Sequence, residues 1–208
     1  MSWTTLVPVL GVWAVAVVSP GPDFLVVLRY AAGRSRRSGL RVAAGVVTGI
    51  AAWATAGLLG VTVLVTRFDG VYTALRVAGA LFLIGFGLAT LRSARRPDPA
   101  RAVDPAPVGR AAGGVGEWRT GLLTNLANPK ALVFFGALFA SVLPRDAGLA
   151  DKALILAAMV AMALGWFGAV AALASTPVVT AGYRRARRAL DAVTGGLFVG
   201  FGALLIPR

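Results

Sequence analysis

Long uncharged apolar runs alternate with short arginine-bearing clusters along this chain, and the spacing of the two predicts membrane-spanning helices. A helix needs about 20 residues to cross the hydrocarbon core of a bilayer. Reading from charge to charge, spans are expected at about Leu6–Leu28, Val42–Thr66, Val71–Leu91, Thr120–Leu143, Ala153–Val179 and Ala189–Ile206. The third and sixth have the shortest uncharged cores. Arg76 near the start of the third can snorkel to the interface, and Asp191 lies near the start of the sixth. The first segment, MSWTTLVPVLGVWAVAVV, carries no basic residue, so it reads as a retained span rather than a signal peptide.

The polar clusters sort by side. The first, third and fifth connections carry fifteen basic residues: Arg29, Arg34, Arg36, Arg37 and Arg41; Arg92, Arg95, Arg96, Arg101, Arg110 and Arg119; Arg184, Arg185, Arg187 and Arg188. The other side has four, Arg67, Arg145, Lys152 and Arg208. The positive-inside rule places loops 1, 3 and 5 in the cytoplasm and both termini outside. The alternation holds at every loop, which supports six spans, because losing one would put two arginine clusters on opposite sides.

Composition narrows the classes further. Of 208 residues, 58% are hydrophobic and only 14% are charged, where soluble domains carry about a quarter charged. The net charge of +13 would suggest nucleic-acid binding in a soluble chain. Confined to clusters between apolar runs, it marks loops flanking spans instead. Without Cys or His, the chain excludes disulfides, thiolate or imidazole metal sites and Cys or His catalysis. Lysine occurs only at Lys130 and Lys152, and with abundant Ala, Gly and Val this fits a GC-rich bacterial genome.

The Pro-, Ala-, Gly- and Arg-rich third loop lacks apolar periodicity and reads as a flexible linker. It divides a single transmembrane domain, 1–208, into halves at 1–92 and 118–208 around a linker at 93–117. The halves resemble each other. The third and sixth spans both carry GFG, at Gly85-Phe86-Gly87 and Gly200-Phe201-Gly202, 115 residues apart. The first and fourth carry PDFLVVL from Pro22 and PKALVFF from Pro129, 107 residues apart. Two halves with an odd number of spans enter the membrane in opposite senses. The expected fold is therefore an all-α integral membrane protein, six transmembrane helices in a 3+3 inverted-topology repeat with helices 1 and 4 interrupted. Many secondary transporters use such repeats, with the solute site near the midplane at interrupted helices.

The interruptions are SPGPD and NLANPK. Proline inside a helix removes a donor and costs about 3 kcal/mol, and lipid cannot satisfy the freed carbonyls. The candidate substrate-binding residues are thus Pro20, Gly21, Pro22 and Asp23 at the first break, and Asn125, Asn128, Pro129 and Lys130 at the second. Asn128 suits the end of one half-helix or the cap of the next. Asp23 and Lys130 are the charged residues far from any expected interface, and a charge at the bilayer centre costs at least about 2.5–3.5 kcal/mol. They occupy equivalent repeat positions. They either pair to fix helix register or serve a small zwitterion, with Asp23 facing an ammonium group or a proton and Lys130 and backbone amides facing a carboxylate. Two further patterns, Gly45-VVT-Gly49 and Gly196-LFV-Gly200, permit close helix contact and suit packing within one subunit before a homodimer seam. Trp53 is expected to pack or to mark an interface rather than line a cavity.

SPGPDFLVVLRYAAGRSRRSGLRVAAGVVTGIA and, later, GLLTNLANPKALVFFGALF and YRRARRALDAVTGGLFVGFGALLI resemble the LysE/RhtB-type family of bacterial amino-acid exporters over most of the chain. The resemblance implies efflux of an amino acid or close derivative across the cytoplasmic membrane, with no cofactor and with drive by the proton-motive force. Its partners would then be the amino acid, protons and membrane lipid. Members differ in substrate, and the motif does not separate them. The alternatives are an exporter of a metal or other small cation, for which one mid-membrane acid supplies few ligands, and a lipid translocase or structural membrane protein. An enzyme would need a nucleophile, base or metal constellation, and one buried acid is not that.

Overall fold

Helices begin and end where the sequence supplies the chemistry for it. The computed structural model describes residues 3–19, 21–67, 69–95, 113–128, 131, 134–135, 138–139, 148–174 and 176–206. Within them run α1 (Trp3–Val18), α2 (Pro22–Gly33), α3 (Arg36–Arg67), α4 (Asp69–Ala94), α5 (Gly113–Leu126), α6 (Leu149–Leu173) and α7 (Pro177–Leu205). Residues 131, 134, 135, 138 and 139 are also helical, and no strand occurs among the described residues.

α1 stops before the prolines, with the Ser19 amide donating to Val15 O at 3.1 Å. α2 restarts on Pro22 as its first residue, behind Gly21 in extended conformation, where a missing N–H costs nothing. The α2–α3 corner is tight: the amides of Arg34 and Ser35 both donate to Tyr30 O at 3.2 Å. The Ser35 hydroxyl accepts the Ser38 amide at 3.1 Å, capping α3.

The arginines expected in loops 1 and 5 largely sit on helix ends. Arg29 lies in α2, Arg36, Arg37 and Arg41 in α3, and Arg184 to Arg188 in α7. Arginine is a good helix former, so the helices run past their apolar stretches. α5 likewise starts at Gly113, inside the stretch assigned to the linker.

By length and composition, Arg36–Gly60 and Leu149–Leu173 can each cross a membrane, and Leu6–Val18 with Pro22–Gly33 forms a pair bent by 49° at the SPGPD break. Val77–Arg92 is a shorter apolar helix. The chain is thus an all-helical membrane protein among its described residues.

Two helix crossings carry directional information. A Cβ on Gly87 would lie 2.6 Å from Gly195 O and 2.8 Å from Val199 N. One on Gly202, 115 residues later, would lie 2.8 Å from Ala80 O and 3.0 Å from Ile84 N. Gly195 and Val199 themselves follow Ala80 and Ile84 by 115 residues. The α4–α7 contact therefore maps onto itself when its partners are exchanged, and low numbers in α4 meet high numbers in α7, so the pair is antiparallel. The α3–α5 crossing is parallel. Gly45 faces the backbone of Trp118 and Leu122, and Gly49 the side chain of Asn125; numbers rise together. In both crossings a methyl group would collide with backbone or a buried side chain, so glycine sets the helix separation.

α3 and α6 also pack together. Val42, Val46, Ile50, Ala54 and Leu58 form a buried stripe on α3; Ile155, Met159, Ala163, Phe167 and Ala171 form one on α6. Members of the two stripes are 113 residues apart in order, as are Trp53 and Trp166. That interval falls between the 107 and 115 read at the first and last spans of each half.

An aromatic core joins the remaining helices. Trp13 lies 5.3 Å from Phe135 and 5.9 Å from Phe134 by ring centroid. Its indole N–H donates to Met159 O at 3.0 Å, tying α1 to α6. Phe198 of α7 meets Phe86 at 5.3 Å and Phe134 at 6.2 Å.

Candidate functional site

The two interrupted segments meet. Asp23 stands in the first turn of α2, where the helix N-terminus favours negative charge. Its Oδ2 accepts hydrogen bonds from Asn125 Nδ2 at 3.0 Å and Asn128 Nδ2 at 3.3 Å. Asn125 ends α5, and the turn after it is closed by Asn128 N donating to Asn125 O and Ala131 N to Asn128 O, both at 3.0 Å. Both asparagines are buried, at 1% and 6% exposure. Residues 102 and 105 positions apart along the chain thus share one carboxylate oxygen.

A cavity of about 40 Å³, counted as space open to the centre of a water molecule, lies at this junction. Each water needs about 10–15 Å³ by that measure, so there is room for a few waters or a comparably small solute. Ser19, Gly21, Asp23, Asn125 and Asn128 line its polar side, and Trp13, Phe24, Phe134, Phe135 and Phe167 are among its apolar walls.

Gly21, Asp23, Asn125 and Asn128 are therefore brought together, while Pro22 sits beside them as the exposed first residue of α2. Pro20, Pro129 and Lys130 lie outside the described residues, and the expected Asp23–Lys130 pairing with them. Trp53 does not line the cavity; it packs against the core as a partly buried aromatic. Of the small-residue patterns, Gly45 and Gly49 pack within the chain, as expected. Gly196 and Gly200 do not: they are exposed, with nothing within 4 Å of an added Cβ. In that stretch Gly195 and Gly202 take the helix contact instead, because α4 crosses on their face.

Ser19 was not among the sequence candidates. It is 4% exposed and lines the cavity, and its hydroxyl has no partner among the described residues. Hydroxyls in helices commonly fold back onto their own backbone, as Thr48, Thr90, Thr120 and Thr124 do here. Only its place beside PGPD signalled it.

A second polar cluster escaped the sequence reading. Glu117 in α5 is 3% exposed. Its Oε1 accepts from Arg34 and its Oε2 from Arg41, each at 3.0 Å. Burial pushes its carboxyl up, but a hydrogen bond from Ser38 and the hydrogen bond and charge of Arg41, with the charge of Arg34, outweigh that and leave it below its ordinary value of 4.5. Glu117 is the chain's single glutamate, set among loop arginines; that was the available signal. At a rise of about 1.5 Å per residue, Arg34, Arg41 and Glu117 lie roughly 12–17 Å along α2, α3 and α5 from Asp23, Ile50 and Asn125. The ion cluster thus ties the same three helices together below the cavity.

A family model described as LysE type translocator matches residues 14–208. The threonine efflux protein of Escherichia coli (strain K12) is 36% identical over 92% of this chain and 92% of its own length. The threonine efflux protein of Salmonella typhi is likewise 36% identical over 92% of each. The uncharacterized membrane protein YahN of Escherichia coli (strain K12) is 25% identical over 95% of this chain and 86% of its own length. No solved structure matches.

Proposed function

This chain belongs to the LysE type translocator family, and we propose that it exports an amino acid or close derivative from the cytoplasm of a bacterium. Family members of this type are transporters rather than enzymes. The observation that carries the reading is the junction of the two breaks: Asp23 from one half held by Asn125 and Asn128 from the other, at the edge of a cavity with an apolar far wall. A carboxylate faced by neutral amides suits an ammonium group, and the apolar wall suits the remainder of a small amino acid. Relatives named as threonine efflux proteins favour a hydroxylated amino acid as the first to try.

The architecture we propose is six spans in a 3+3 inverted repeat, α1 with α2 and α5 with the segment through Phe139 being the interrupted first and fourth. The antiparallel, self-mapping contact of α4 with α7 supports this, because a two-fold axis lying in the membrane plane reverses helix direction. The parallel α3–α5 crossing agrees, since the second and fourth spans run the same way. Loops 1, 3 and 5 then face the cytoplasm and both termini the outside, and the proton-motive force drives export.

Reconstituted protein loaded with L-threonine and other amino acids, with and without a pH gradient, tests the function. Gradient-stimulated release is expected, and release of none of the amino acids would overturn the reading in favour of a cation or lipid substrate. A reporter fused after Arg208 should signal outside; a cytoplasmic signal would overturn the six-span topology.

A further inference from the structure

Among the glycines of α3, Gly49 has a neighbourhood unlike the others. A Cβ on Gly45 would strike backbone of α5, and one on Gly57 would strike the Phe139 ring. The three atoms nearest a Cβ on Gly49 belong to one polar side chain: Asn125 Oδ1 at 2.5 Å, Cβ at 2.9 Å and Cγ at 3.0 Å. The other end of that same carboxamide donates to Asp23. Asn125 is 1% exposed, and its Oδ1 has no hydrogen-bond partner among the described residues.

We propose that Gly49 is a positioning residue of the solute site, its bare Cα forming the slot that aims the Asn125 amide at Asp23. The amide has two ends and one strong hydrogen bond. Among the described residues no donor holds its oxygen end; the shape of α3 locates it, and glycine offers a Cα–H contact there. A methyl group in the slot leaves the buried carboxamide no room to stay. It must rotate about its side-chain torsions, and rotation carries Nδ2 off the Asp23 carboxylate. Gly49 thus acts on the solute only through Asn125. This deepens the amino-acid export reading and rests on it. It also separates the two glycines of the Gly45-VVT-Gly49 pattern: Gly45 sets the distance between helices, and Gly49 sets the aim of one side chain.

The test is a double-mutant cycle in proteoliposomes, reading the apparent affinity for L-threonine in counterflow. The variants are Gly49→Ala, Asn125→Ser (shorter, but still a donor) and the pair, with Gly60→Ala as a control on the same helix, where an added Cβ meets nothing within 4 Å. Gly49→Ala is expected to weaken apparent affinity by about tenfold, the scale of one hydrogen bond to a charged group. In the Asn125→Ser background the same change should cost less than about twofold, because the side chain it displaces is gone. Gly60→Ala should match wild type. Equal cost in both backgrounds, or no cost in either, overturns the proposal. Should wild-type protein carry no amino acid, the exporter reading falls, and the cycle is then read on Tm. Coupling of Gly49 to Asn125 there upholds the positioning contact, and additivity overturns it.

Discussion

Two carboxylates tie α2 and α3 to α5 and the turn after it, and their described partners differ in charge. Asp23, in the first turn of α2, is met by two neutral amides, Asn125 and Asn128. Glu117, in α5, is met by two guanidinium groups, Arg34 and Arg41. Neutral donors orient a carboxylate without cancelling its charge; guanidinium groups cancel it and lock the geometry. On the reading proposed above, the first arrangement presents an acid to the cationic group of a solute at the cavity, and the second joins three helices below that cavity. On that reading, the charge of the described partners, rather than the carboxylate itself, separates a solute site from a fastening.

Substitutions can break this comparison at either end. The largest effect is expected from Asp23→Asn, which keeps shape and removes charge. Export should fall by about a hundredfold, the low-to-middle part of the roughly 2–5 kcal/mol cost of losing one member of a buried charged contact. Tm should stay close to that of wild type, and wild-type export by the Asp23→Asn variant would dissolve the distinction. Next, Glu117→Ala should lower Tm by about 2–8 °C, taking about 1–2 kcal/mol for a chain of this size. The figure is modest because both arginines are about a third exposed, at 31% and 39% for their side chains. Asn128→Ala removes the longer of the two Asp23 bonds, at 3.3 Å, and should weaken apparent affinity for the exported amino acid only severalfold, for about 1 kcal/mol.

The acid limb of stability sharpens the comparison further. The carboxyl of Glu117 titrates below its ordinary value of 4.5 when folded. Its contribution is therefore present above that value and lost as pH falls through the lower, folded one. Wild-type protein should lose Tm faster than Glu117→Gln below about pH 4.5, and parallel acid limbs would remove the ion cluster from the account. The smallest effect belongs to Ser19→Ala. Its buried hydroxyl has no partner among the described residues, and leaving one unpaired costs about 1 kcal/mol or more, so Tm should hold or rise by a few degrees. A clear fall would mean that the hydroxyl has a partner.

Much of the fold was legible because lipid imposes coarse rules. Each apolar run overlaps a described helix, and the two prolines of SPGPD located the break between α1 and α2. The boundaries were less legible: the arginines of Arg36–Arg41 and Arg184–Arg188 look like loop in a charge count yet extend α3 and α7, because charge marks where lipid ends and not where the helix does. The site was half legible. Asp23, Asn125 and Asn128 stood out as polar groups in apolar surroundings, whereas Ser19 and Glu117 are ordinary residue types whose meaning lies in their burial.

By itself the sequence determined a membrane protein, its two helix breaks and a resemblance to amino-acid exporters, and it led to the expectation of a repeat with intervals of 107 and 115 residues. These follow from hydropathy, backbone chemistry and residue order, all of which are local. The tertiary structure decided which groups meet: that Asp23 takes two amides, that Glu117 takes two arginines, and that Gly49 rather than Gly45 faces Asn125. Such choices depend on the rotation of each helix about its axis. Turning one by a single residue, about 100°, would present different side chains to the same neighbour while leaving every apolar run as it stands.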